Sequence, residues 1–150
     1  MCGRFARIVS DKTLRERYRL ERIAKLDDRY NIAPMQNIAA VRAAEDANEL
    51  VLLRWGLIPS WSKDAKIAYK LTNARAETVA EKPTFRSAFK QRRCIIPASG
   101  FYEWKREAKQ KQPFYIHPRD EELFSFAGLW ESWHDAEGEM IESCAGMSRH

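Results

Sequence analysis

Cysteine is scarce in this chain: 150 residues carry three, Cys2, Cys94 and Cys144. They are odd in number and widely spaced, which speaks against a disulfide scaffold and for free thiols in a reducing compartment. No apolar run approaches the length of a membrane span, so a transmembrane segment is not expected. The N-terminus lacks the apolar core of a signal peptide, because Arg4, Arg7 and Asp11 interrupt it early. A cytoplasmic protein that does not engage a membrane is therefore expected. His117, His134 and His150 show no CxxC or HExxH spacing with the cysteines, and no glycine-rich loop could cradle a phosphate. The sequence thus calls for no metal and no cofactor. Repeats, low-complexity segments and interdomain linkers are missing too.

What remains is an ordinary globular composition, 45% hydrophobic and 31% charged. The length suits one domain with a sizeable core. A formal net charge of +5 permits a polyanionic partner without demanding one.

Hydrophobic patterning divides the chain into short elements. MCGRFARI alternates enough for a strand, and Ser10 is placed to cap a helix of three to four turns lined by Leu14, Tyr18 and Ile23. YNIAP, 30–34, reads as a loop fixed by Pro34. NIAAVRA and ELVLLRWG read as paired strands joined through Glu45-Asp46-Ala47-Asn48. WGLIPSW, 55–61, reads as a loop displaying both Trp55 and Trp61. NARAETVAEKPTFRSAFKQRR is helical in character, split by Pro83. From Cys94 onward come CIIPA, GFYEWK, PFYIHP, LFSFAGLWESW and MIESCAG, all strand-like, with REAKQKQ and HDAEGE as hairpin loops. The fold class is therefore α+β, mainly antiparallel sheet with a few short peripheral helices.

Four features could carry chemistry. Once Met1 is removed, Cys2 bears an amine and a thiol on one residue. An unperturbed α-amine titrates near ~7.7–8.0, so a useful fraction is nucleophilic at neutral pH. It can form an imine with an aldehyde, onto which the thiol closes as a thiazolidine. A buried, inert cysteine is the commoner alternative. Asn73, Arg75 and Glu77 crowd TNARAET at a strand-to-helix junction, where capping explains the asparagine but not the arginine. Glu103 lies between Tyr102 and Trp104 and faces away from them; in apolar surroundings it would shuttle protons, on a solvated strand it would not. Finally Arg4, Arg29, Trp55, Trp61, Arg75, Arg86, Arg92 and Arg93 interleave base-stacking and phosphate-binding side chains. Core packing and solubilisation would use the same residue types.

In order and spacing, MCGRF, RYNIAP, WGLIPSW, TNARAET, RCIIPASGFYEW, KQPFYI and FAGLWE resemble the SOS-response-associated peptidase (SRAP) family from residue 2 to about residue 144. Proteins of that family crosslink to abasic sites in single-stranded DNA. The resemblance implies a partly barrel-like sheet. It also implies that Cys2 traps the ring-opened aldehyde as a thiazolidine in the DNA damage response. Asn73 resembles the asparagine that bonds near the terminal amine and sugar, and Glu103 the glutamate that handles protons. Arg4, Arg75 and Trp61, with Arg29 and Asn31 of RYNIAP, match positions near the DNA. The expected partner is single-stranded DNA with an abasic site, which would bring the protein to the nucleoid.

One departure stands out. The family places a histidine in a downstream H-x-R-M-P-like stretch, whereas this sequence reads SCAGMSRH and its final His150 lacks that context. AGMSRH also does not fit the Thr-rich strand expected there, so a C-terminally shortened single domain is the expectation. Two other readings stay open: an N-terminal-nucleophile amidohydrolase or autopeptidase, since Met-Cys-Gly also begins glutamine amidotransferases, and a noncatalytic single-strand binding module.

Overall fold

In chain order the elements are β1 (Phe5–Arg7), α1 (Asp11–Tyr18), β2 (Arg29–Ile32), β3 (Asn37–Ala43) and β4 (Asn48–Trp55). A 3₁₀ helix at Ala65–Lys70, β5 (Asn73–Arg75), α2 (Arg86–Gln91) and β6 (Arg93–Ala98) follow. The chain ends with β7 (Gly100–Glu107), β8 (Gln110–Ile116), β9 (Phe124–His134) and β10 (Met140–Ser148). This structure, a computed structural model, describes residues 3–23, 25–107 and 109–149, with Glu107 by its backbone alone.

β3 and β4 pair as an antiparallel hairpin from Ala43↔Asn48 to Asn37↔Arg54. β6 joins β3, β9 joins β6 and β10 joins β9, all antiparallel. β10 then returns to β4 in parallel, Ser143↔Arg54 and Cys144↔Trp55, and closes a five-stranded barrel. β5 extends the far side of β10, also in parallel. A second sheet, ordered β2-β1-β7-β8, packs on the barrel. Phe5 makes that joint, its ring set edge-on 5.3 Å from Trp55 and 6.0 Å from Phe126. Ile38, Leu53, Trp55, Cys94, Ile96 and Cys144 form the apolar interior that this aromatic contact seals.

Arg42 reaches from β3 to several of the other barrel strands. Its Nε donates to Glu49 of β4 at 2.7 Å and its Nη1 to Glu142 of β10 at 2.6 Å. The guanidinium lies 4.3 Å from the centre of the Trp130 ring on β9. Burial draws its pKa down, but the two carboxylates outweigh that and raise it.

The fold is the α+β, mainly antiparallel architecture expected, with a partly barrel-like sheet and short helices. Several local expectations give way to tertiary pairing. α1 spans only Asp11–Tyr18: Leu14 and Tyr18 are buried as the periodicity requires, but Arg19 turns left-handed at φ 55° and Ile23 falls beyond it. YNIAP is strand through Ile32 rather than loop. Residues 73–75 are strand, not helix, because β10 offers them a parallel edge; only 86–91 becomes α-helix. The hairpin strands β7 and β8 run through most of REAKQKQ and stay paired out to Glu107↔Gln110. AGMSRH does not break the sheet: β10 continues to Ser148, paired with Arg75. Among the described residues no helix is long and apolar enough to cross a membrane.

Arg42→Leu strands Glu49 and Glu142 beside each other without their cation. A fully buried pair broken this way loses about 3–5 kcal/mol; Glu49 is 42% exposed, so a loss of about 2 kcal/mol is expected. Urea denaturation checks it, and an unchanged midpoint would refute the role given to Arg42.

Candidate functional site

Asn73 heads β5 in a half-buried position. Its Nδ2 makes one long bond to Thr72 Oγ1, 3.4 Å, while its buried Oδ1 has no hydrogen-bond partner among the described residues. A buried acceptor left unmatched costs about 1–3 kcal/mol, which a donor reaching this oxygen would recover. The neighbouring carbonyl fixes its place. Thr72 O accepts from the Trp55 indole Nε1 at 3.0 Å and from Gly146 N at 3.0 Å. Trp55 in turn packs against Phe5. Contacts thus run unbroken from the N-terminal strand to Asn73. Trp55 is fully buried to make them, and the expectation that it is displayed fails.

Register brings Glu103 toward the same end of β1. Phe5 pairs with Phe101 and Ala6 with Gly100, and Tyr102 N donates to Arg4 O at 3.0 Å. Glu103 is therefore one residue further along β7, on the side from which the N-terminus enters. It is exposed, so the apolar surroundings that would make it a tuned proton carrier are not found among the described residues. Arg4 Nη1 donates to Asn31 Oδ1 at 3.1 Å, which sets these two candidates side by side. Tyr102 Oη donates to Tyr30 O at 2.7 Å and braces β7 against β2. A Cβ at Gly100 would run into the Tyr115 ring, which packs 5.1 Å from Tyr102, so a larger residue there would push that ring aside. Arg29 is drawn inward instead, donating to Asn37 O at 2.7 Å and to Gln36 Oε1 at 2.5 Å. Arg92 likewise pairs with buried Glu131 at 2.5 Å.

Arg75 is exposed at the end of β5. Trp61 is 62% exposed on the loop after β4, and that loop is held at several points. Trp133 Nε1 donates to Ser62 O at 2.6 Å, Ile58 N donates to buried Ser143 Oγ at 2.9 Å, and Leu57 N donates to Leu71 O at 3.0 Å. The roles of Trp133, Ser143 and Thr72 were not evident in the sequence, since only pairing across the sheet reveals them.

Cys2, the expected nucleophile, lies outside the described residues. The other two cysteines are buried in the barrel. Burial pushes the Cys94 thiol up to about 12, despite the nearby Arg42 cation. Burial, then the adjacent Cys94, holds Cys144 well above the ordinary thiol range. Neither can supply a thiolate near neutral pH. Among the described residues no cluster of His, Cys, Asp or Glu could hold a metal ion.

The closed barrel thus connects its N-terminal strand to an asparagine oxygen with no partner among the described residues, and Arg75 is exposed two residues further along β5. The family described as SOS response associated peptidase (SRAP) matches residues 1–148, and the chain belongs to it. It is 45% identical over 148 residues to the abasic site processing protein YoqW of Bacillus subtilis, covering 96% of this chain and 66% of that protein. It is 34% identical over 143 residues to the abasic site processing protein HMCES of Xenopus tropicalis, covering 76% of this chain and 43% of the relative. This chain therefore spans just under two thirds of the bacterial relative. A crystal structure from Bacteroides thetaiotaomicron superposes with a TM-score of 0.88 at 29% identity, covering 99% of this chain and 68% of that one. One from Bordetella bronchiseptica gives 0.85 at 28% identity, covering 99% and 72%.

Two measurements check this account. Cys94 holds its proton to about 12 in the fold, against 9.0 for an unburied thiol. The unfolded chain therefore loses its proton first, and stability falls as pH rises from 9 toward 12. Cys94→Ala should flatten that part of the stability–pH curve. Trp133→Phe keeps the apolar fill but deletes the bond to Ser62; a loss of about 1 kcal/mol is expected, with faster fluorescence depolarisation of Trp61. Unchanged depolarisation would show that Trp133 does not hold the loop.

Proposed function

We propose that this protein captures abasic sites in single-stranded DNA covalently through Cys2 after Met1 is removed. The amine of Cys2 adds to the C1′ aldehyde of the ring-opened deoxyribose, and the carbinolamine loses water to give an imine. The thiol then adds across the C=N bond: sulfur bonds to carbon, its proton goes to nitrogen, and a thiazolidine closes. No outside oxidant or co-reactant is needed. The protein shields the lesion for as long as the ring persists.

The observation that carries this reading is the buried, unmatched Oδ1 of Asn73, connected through Thr72 and Trp55 to the strand that starts just after Cys2. It would accept a bond from the amine or a sugar hydroxyl. Glu103, exposed beside the entering N-terminus in the free protein, would handle protons once DNA bound over it excludes water and favours its protonated form. Arg4 with Asn31, and Arg75, would take flanking phosphates, and Trp61 would stack in the gap where the base is missing. Arg29 would act on the same strand indirectly, by fixing β2 through its bonds to Gln36 and Asn37. The names of the relatives, abasic site processing proteins, agree with this chemistry. Release of Met1 by the protein itself would be the peptidase activity in the family's description.

The test mixes protein with mass-verified loss of Met1 and a single-stranded oligonucleotide bearing an abasic site, then looks for a denaturant-resistant adduct. Cys2→Ala should abolish the adduct. Asn73→Ala should slow it by up to about tenfold, one lost hydrogen bond, and Glu103→Gln by about 100-fold or more, one lost proton transfer. Because Oδ1 has no hydrogen-bond partner among the described residues, Asn73→Ala should leave the urea midpoint unchanged or higher. No adduct from verified mature protein would sink the proposal, and hydrolysis of glutamine instead would point to an amidohydrolase.

A further inference from the structure

The C-terminus of α1 overhangs a cleft of about 460 Å³ against β3, β4 and β6. Arg17, Arg19 and Arg93 line it from two separate elements, over Asn48 and the apolar Val41 and Ile95. Arg42 also borders the cleft but is neutralised by Glu49 and Glu142. Arg17 has Glu121 only at a loose 3.7 Å, with both side chains well exposed. Arg19 and Arg93 pair with no carboxylate among the described residues. The cleft itself is thus positive on balance, and its acidic neighbours Glu21, Glu45 and Asp46 lie in an adjoining depression that shares Arg19 and Asn48 with it.

Its geometry is held and locally strained. Asn48 Nδ2 donates to Tyr18 O at 2.9 Å, Tyr18 Oη and Ser125 Oγ share a bond of 2.7 Å, and Leu20 bridges Asn48. Arg19 caps α1 in the left-handed region at φ 55°, a position where glycine would be free of strain. Arg19 thus holds an exposed cation in a strained position, with no carboxylate partner among the described residues.

We propose that this cleft is a second phosphodiester-binding site, taking backbone phosphates of the same nucleic-acid strand at a distance from Asn73. The inference rests on the capture reading above. Cys94, Gly128, Gly146 and Asn73 are successive partners across β6, β9, β10 and β5. Three inter-strand steps put the backbone of Cys94, next to Arg93, about 14 Å along the sheet from Asn73. Arg93 faces outward where Cys94 faces the interior. A strand that reaches both sites therefore passes around the barrel and spans several nucleotides. Guanidinium groups suit phosphate because their paired donors match its oxygens.

The test measures noncovalent binding of undamaged single-stranded oligonucleotides, about 6 and about 20 nucleotides long, across a salt series. Arg19→Ala/Arg93→Ala should weaken binding of the long strand by about tenfold and make its log–log salt slope shallower by about 1.4, two phosphate contacts at ~0.7 each. The short strand should be little affected, and so should adduct yield on a short abasic strand. Arg19→Gly should lose part of the affinity while raising the urea midpoint, which separates ligand binding from folding. Equal slopes for wild type and double variant would overturn the proposal. So would displacement of the long strand by inorganic phosphate at matched phosphate concentration, which would mark a small-anion site instead. If no protein forms adducts but the slope change persists, the capture reading falls and the cleft stands.

Discussion

Closure of the barrel rests on a short parallel pairing, Ser143 against Arg54 and Cys144 against Trp55. Around this contact the chain converts sheet register into site geometry. Gly56 N donates to Cys144 O at 2.9 Å, which continues the pairing into the loop. Trp55 is thereby committed to the interior, where one edge meets Phe5 and its indole N–H finds Thr72. β5 then docks on the free side of β10, and Asn73 is fixed by backbone bonds rather than by side-chain contacts of its own. A polar group supported this way can remain unmatched without the surrounding backbone shifting to satisfy it.

Charge is distributed unevenly over the fold. Arg42 meets carboxylates from two strands and an aromatic face from a third. Arg92 meets Glu131, and Arg7 is buried with its Nη2 on Asp27 O at 2.8 Å, its pKa lowered by burial and by Arg29. These cations are spent on folding. Arg75, Arg19 and Arg93 are exposed, and a positive net charge of +5 then acts where a polyanion could use it. Composition alone could not separate the two groups.

Much of the strand content was legible because apolar residues recur along β3, β4, β6, β9 and β10; burial alternates through much of β6 and β9, whereas β3 and β10 each hold a run of four buried residues. The Ser10 cap was legible for the same local reason, its Oγ accepting from Thr13 N at 3.2 Å. Residues 73–75 were not, since strand formation there depends on an edge supplied from Gly146–Ser148, distant in sequence. Trp55 misled because glycine and proline beside it signal a loop, while its own position is still the last of β4. Asn73, Arg4 and Glu103 could be named from motif order, but their relation to one another could not. It comes from the Phe5–Trp55–Thr72 path and from the β1–β7 register, both long-range.

Ser143 and Cys144 stand side by side and differ by one atom in kind, an oxygen for a sulfur. The hydroxyl meets Ile58 N, while the thiol sits in an apolar interior beside Ile96 and Leu53. Because successive residues of a strand face opposite ways, sliding β10 by one position would exchange them. The amide would then face a poor acceptor, and the interior would receive a hydroxyl with nothing to bond. The pair works as a lock with two wards: only one alignment of β10 satisfies both, and that alignment is the one that presents β5 with its edge.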